Sequence, residues 1–139
     1  MLDTLQSYAA MLAILLNGIA LGAAWIVTMA SPNLSFDRLD GSRADGYVRA
    51  LLKGTSTPLA GLLLAAGAFG VLGGTYAAGA CSLLAAFGFF SNHWMLASRG
   101  KVPKQIKTSR KGQRVMAVSM SLVFSLVVLA ACLLGIAGI

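Results

Sequence analysis

Three long stretches of this chain carry no charged side chain: from Thr4 to Phe36, from Gly54 to Ser98, and from Val115 to Ile139. The middle stretch is the most constraining. As a single helix its roughly 45 residues would reach about 67 Å at 1.5 Å per residue, more than twice the ~30 Å of a bilayer's hydrocarbon core. It must therefore fold back, and Gly73-Gly74-Thr75 is the natural place for the turn. Only 11% of the 139 residues are charged and 58% are hydrophobic. A soluble domain carries about a quarter charged residues. The deficit is too large for a water-facing surface, so lipid is the expected solvent over most of it.

These limits predict an all-α fold, an integral membrane four-helix bundle formed by residues 1–139 as one domain. The spans fall at about 8–30, 58–73, 76–97 and 115–138. Ser31-Pro32-Asn33 is expected to stop the first span, because proline removes a donor and restricts the residue before it. Thr55-Ser56-Thr57-Pro58 reads as a helix start, with hydroxyl caps and a proline in the first turn. Ahead of it, Ala44–Lys53 could form a short interfacial helix, with Tyr47 and Leu51, and Val48 and Leu52, spaced by four. Met1-Leu2-Asp3 lacks the positive region of a secretory signal, so the first apolar run is expected to stay in the mature protein.

Basic residues orient the spans. Arg38, Arg43, Arg49 and Lys53 lie in the first polar connection, and Arg99, Lys101, Lys104, Lys107, Arg110, Lys111 and Arg114 in a second, which together are all 11. With four alternating spans both connections fall on one side, the cytoplasm or a mitochondrial matrix, and both termini on the other. Tyr8 and Tyr76 then sit at outer ends, Trp25 and Trp94 toward inner ones. A bacterial inner membrane is the expected location, with the mitochondrial inner membrane as the alternative. The formal charge of +7 is thereby accounted for by topology. No basic stripe with interleaved aromatics offers a nucleic-acid surface. The 99–114 segment is expected either to bind anionic headgroups or an acidic partner face, or to serve topology alone.

Lipid gives apolar helices no reason to associate, so small residues must let them approach closely. Gly18 and Gly22 are spaced by four on the first span. Ala66, Gly70 and Gly74, then Ala78, Ser82 and Ala86, then Ala117, Ser121 and Ser125 repeat that spacing on the others. Cys81 and Cys132 match in depth and could form a disulfide in an oxidising compartment, or simply pack as small apolar residues.

Chemistry has few candidates. His93 is the one histidine; it could meet a metal, a proton or a quinone carbonyl, or rest on a backbone carbonyl. Bis-histidine haem ligation within the chain is excluded. Asn17 is expected to bond between helices, at a different depth from Asn92. Glutamate is absent and the aspartates, 3, 37, 40 and 45, lie outside the spans, which argues against a proton-coupled transporter. No catalytic triad, metal cluster or phosphate loop appears, and no cofactor is implied.

Gly18-x-x-x-Gly22 followed by Pro32, then Gly54 with Pro58, then Asn92-x-x-x-Leu96, resemble the anthrone-oxygenase-like family of small four-helix membrane proteins. That family is named for fungal enzymes that oxidise anthrones to anthraquinones. The resemblance implies a bundle that handles an aromatic or quinone-like molecule, with Asn92 at the matching position and His93 beside it. Trp25, Thr28, Asn92, His93 and Trp94 share an inner depth and could line such a pocket. The other reading, favoured by the missing catalytic constellation, is a non-catalytic accessory subunit of a larger membrane complex, in contact with lipid and other membrane subunits.

Overall fold

The computed structural model describes residues 1–97 and 107–139, with 97, 107–111, 113 and 114 as backbone alone. Among the described residues the regular structure is helical throughout. Helix α1, Leu2–Trp25, passes through a π-helical turn, Ile26–Ala30, into α2, Ser31–Arg38. Helix α3 follows at Gly41–Leu72, α4 at Tyr76–Ala97 and α5 at Lys107–Ile136. Among the described residues three helical stretches are long and apolar enough to cross a membrane: Leu2–Arg38, Gly41–Leu72 and Val115–Ile136. Helix α4 is not among them, for its last two turns carry Ser91, Asn92 and His93.

Three local expectations fail, each for a physical reason. Pro32 does not stop the first helix. The backbone widens by one residue ahead of it, so that the Ser31 N–H bonds to the Ile26 carbonyl, and the chain turns helical again with proline in a first turn, where its missing N–H costs least. Pro58 does not start α3 either. The helix begins at Gly41, and the segment expected as a separate interfacial helix is its first part. Ala44, Val48 and Leu52 are buried there, the last two packed with Val27, Leu96 and Ala117, so tertiary contact holds the segment helical. The Thr55 hydroxyl donates to the Leu51 carbonyl at 2.7 Å, and the Ser56 hydroxyl to that of Leu52. They are back-bonded to the preceding turn instead of capping a terminus. Finally, the backbone of 107–114 is the start of α5, whereas Arg99, Lys101 and Lys104 lie outside the described residues.

Helix α1 packs on α3 and α5, and α4 packs on the same two, with α3 against α4 the most extensive contact. The central core draws on all four: Ala20 and Ala24 from α1, Leu59, Ala60 and Leu63 from α3, Ala85, Ala86 and Phe89 from α4, and Val128 from α5. Alanine dominates because helices in lipid gain from close approach and not from exclusion of water. Closeness is greatest beside the turn. A methyl built on Gly70 would lie 3.0 Å from the Gly79 Cα, and the turn itself needs a positive φ, +78° at Gly74. At Gly88 the Phe124 ring occupies the space a side chain would take. Phe124 also meets Phe89 with ring centroids 6.3 Å apart.

The two ends of the molecule differ. Ala10 lies against Gly73, and the Ala78 N–H donates to the Ile139 carbonyl at 3.2 Å, so the 73–75 turn, the first turns of α1 and the last residue cluster together. The cluster of Val27, Val48, Leu52, Leu96 and Ala117 closes the opposite end, toward the charged part of α3. Replacing Gly88 by alanine should cost about 1–3 kcal/mol through overpacking on Phe124. Gly61→Ala, where nothing lies within 4 Å, should leave stability equal or higher, measured as thermal unfolding in detergent. Equal melting of both variants would contradict the packing at Gly88.

Candidate functional site

Among the described residues, three groups of polar side chains link one helix to another. Toward the turn, Asn17 on α1 is 2% exposed and accepts from the Ser82 hydroxyl at 3.0 Å. That hydroxyl also points at the Ala78 carbonyl, 2.9 Å away, and its one proton is shared between the two. This is the interhelical bond expected of Asn17. Ser82 and Asn92 are about 15 Å apart along α4 at 1.5 Å per residue, so the two asparagines belong to separate sites.

Asn92, 1% exposed, is the second group. Its amide nitrogen donates to the Ser121 hydroxyl at 2.8 Å and to the Ala117 carbonyl at 3.3 Å, tying α4 to α5. Among the described residues its buried carbonyl oxygen Oδ1 has no hydrogen-bond partner. Leaving an acceptor unmatched costs about 1–3 kcal/mol, so the amide is held at a local disadvantage. Ser121 was legible only as part of a small-residue face. An asparagine on one helix opposite a serine repeat on its neighbour was the available signal for this pairing.

His93 forms the third group. Its Nδ1 lies 3.1 Å from the Lys53 carbonyl and 3.2 Å from the Thr57 hydroxyl, both on α3. A carbonyl only accepts, so Nδ1 carries a proton toward α3, and Nε2 lies on the opposite edge of the ring. The bland expectation of a histidine resting on a backbone carbonyl matches this geometry.

The expected pocket does not assemble. Trp25 is 48% and Trp94 62% exposed on the outer surface, and Trp94 pairs with Phe90 at 6.4 Å. Of the five candidates only Thr28 lines the cleft formed with Leu52, Thr55, Ser56, Phe89 and Ser121. The Thr28 hydroxyl is turned onto the Ala24 carbonyl at 2.7 Å. This cleft is too narrow to admit a water molecule. Side chains fill the region, and a quinone-sized ring has no room there without helix displacement. Cys81 and Cys132 are both free thiols, half-buried in α4 and α5. Among the described residues no three His, Cys, Asp or Glu side chains gather as metal ligands.

No family model, curated protein or solved structure matches this chain. The interhelical role of Asn92 is open to direct measurement. In a double-mutant cycle, Asn92→Ala and Ser121→Ala should couple by about 0.6 kcal/mol, and by no more than about 1.7. Strict additivity in unfolding free energy would remove the bond as a link between α4 and α5.

Proposed function

We propose that the chain is a four-span membrane protein that serves as a non-catalytic accessory subunit of a larger membrane complex. In this reading α4 is the fourth crossing, both termini lie on the non-cytoplasmic side, and the basic segments face the cytoplasm or matrix. A bacterial inner membrane is the proposed location. The observation that carries the reading is the outer face of α1. Gly18 and Gly22 are exposed, and a methyl on either would meet nothing within 4 Å. The spacing of small residues best suited to close helix contact is thus unused inside the chain. Gly67, Gly70 and Gly79, by contrast, are spent on the α3–α4 contact. The tight packing of the cleft beside Thr28 fits a scaffold better than a binder.

The second reading is an anthrone-oxygenase-like protein that binds an aromatic or quinone-like molecule among the helices. It has one observation in its favour, the unpartnered Asn92 Oδ1. The narrowness of the cleft beside Thr28 weighs against it.

Two measurements test the first reading. Gentle extraction from the native membrane should recover the chain with stoichiometric larger subunits. Gly18→Leu with Gly22→Leu should abolish that recovery while the variant's own unfolding changes by no more than about 0.5 kcal/mol. A wild-type chain recovered alone would sink the accessory role. For the topology, a reporter fused after Ile139 should be active only in its periplasmic form, and one inserted after Leu39 only in its cytoplasmic form. The reverse pattern would overturn the orientation.

A further inference from the structure

One wall of the closed cleft is the π turn: Val27 and Thr28, both buried, come from Ile26–Ala30. The facing wall is α3, with Leu52 and Ser56, and Ser121 of α5 adds to the lining. A π turn holds one residue more than an α-helix needs, and each residue of an α-helix subtends about 100°. Moving that extra residue from one side of Val27 and Thr28 to the other therefore turns both by about 100°, off the wall and back again. After the turn the chain is weakly held. Pro32 returns no N–H to the turn, and of the eight residues of α2 only Ser35 is buried. The Ser35 hydroxyl donates to the Ser31 carbonyl of its own helix, at 2.6 Å. The neighbours on both sides are anchored: α1 buries Ala13, Asn17, Ala20 and Ala24, and the start of α3 buries Ala44, Val48 and Leu52. A segment with so little buried surface opens at low local cost.

We propose that the π turn and α2 form a strap that opens the cleft to water. In the closed state Val27 and Thr28 fill the wall. In the open state α2 lifts, the extra residue shifts along the turn, and water enters between α1 and α3. The entrance is close to charged sequence, since Ser56 follows Lys53 by three residues, about 4.5 Å along the helix. The hydroxyls of Thr28, Ser56 and Ser121 each donate to the carbonyl four residues back, so what each has left to offer is an accepting lone pair. Ser121 uses one to accept from the Asn92 amide, whose own Oδ1 is an acceptor with no donor among the described residues. The cluster thus holds acceptors without a spare proton, and water is the donor that the closed cleft keeps out. The device concerns packing within the chain and stands or falls apart from the accessory role.

Thiol labelling of the full chain in lipid nanodiscs tests it, with Cys81→Ala and Cys132→Ala as the background. Ser56→Cys should react with a small charged thiosulfonate about a hundredfold more slowly than a free thiol, as an open state populated to about 1% allows. Ser82→Cys, at the Asn17 end, should stay unlabelled. Met29 is exposed within the turn. Deleting it leaves the Ser31 N–H on the Ile26 carbonyl as an ordinary four-residue bond, with the helices on either side in place. The deletion should slow labelling of Ser56→Cys by about tenfold or more and leave melting equal or higher, because an uninterrupted α-helix has no extra residue to shift. Hydrogen exchange on the unaltered chain is a check that needs no variant: amides of 31–38 should exchange about tenfold faster than those of 41–52. Equal exchange in the two segments overturns the strap. So does labelling of Ser56→Cys at one rate with and without Met29, or its absence in both.

Discussion

The approach of α3 to α4 at Gly70 and Gly79, with 3.0 Å between the Gly79 Cα and a methyl position on Gly70, governs the rest of the arrangement. Two helices joined by a turn as short as 73–75 can slide very little, and their register follows from where they first touch. Gly70 with Gly79, Gly67 with Leu83, and Thr57 with His93 lie at roughly equal sequence distances on either side of Gly74. A bulkier residue at the first contact would push the helices apart at the turn. The consequence would be felt far along the pair, where His93 loses the Lys53 carbonyl. The geometry at the charged end is thus a product of glycine packing at the other.

Backbone satisfaction imposes the second constraint. In an apolar surrounding every carbonyl freed from its helical bond is costly, and this chain puts prolines at 32 and 58 inside continuous helix. Local hydroxyls and one wider turn keep both helices continuous. Ser31 bonds through the π turn, while Thr55 and Ser56 fold back onto α3. Pro58 supplies no N–H to the Gly54 carbonyl, one turn before it. Asn92 Oδ1 is a comparable gap in the side-chain network. Both gaps lie on the part of the molecule where α3 changes from charged to uncharged sequence, away from the well-matched Asn17–Ser82 end.

Much of this molecule was readable without coordinates. The absence of charge over long stretches required helices in lipid, since no other element satisfies its own backbone there. The length of the Gly54–Ser98 stretch required a turn, and two adjacent glycines located it, one of them with positive φ. Asn17 as an interhelical bond and His93 as a histidine on a carbonyl also followed, because a polar group in an apolar helix must find a partner. Helix ends were less legible: Ser-Pro and Thr-Pro pairs carry the signature of a boundary, and only packing of Val48 and Leu52 reveals that α3 runs through one.

Which faces turn inward was decided by tertiary structure alone. When surrounding lipid is as apolar as the core, hydrophobic periodicity no longer separates inside from outside. Small residues spaced by four recur on every long helix here. Ala117, Ser121 and Ser125 prove to be buried, while Gly18 and Gly22 face outward. Likewise Trp25 and Trp94, matched with Asn92 and His93 in depth, point to the outer surface and form no pocket with them. Depth is a property of one helix and can be counted along a sequence. Azimuth depends on the neighbour, and only the assembled helices determine it.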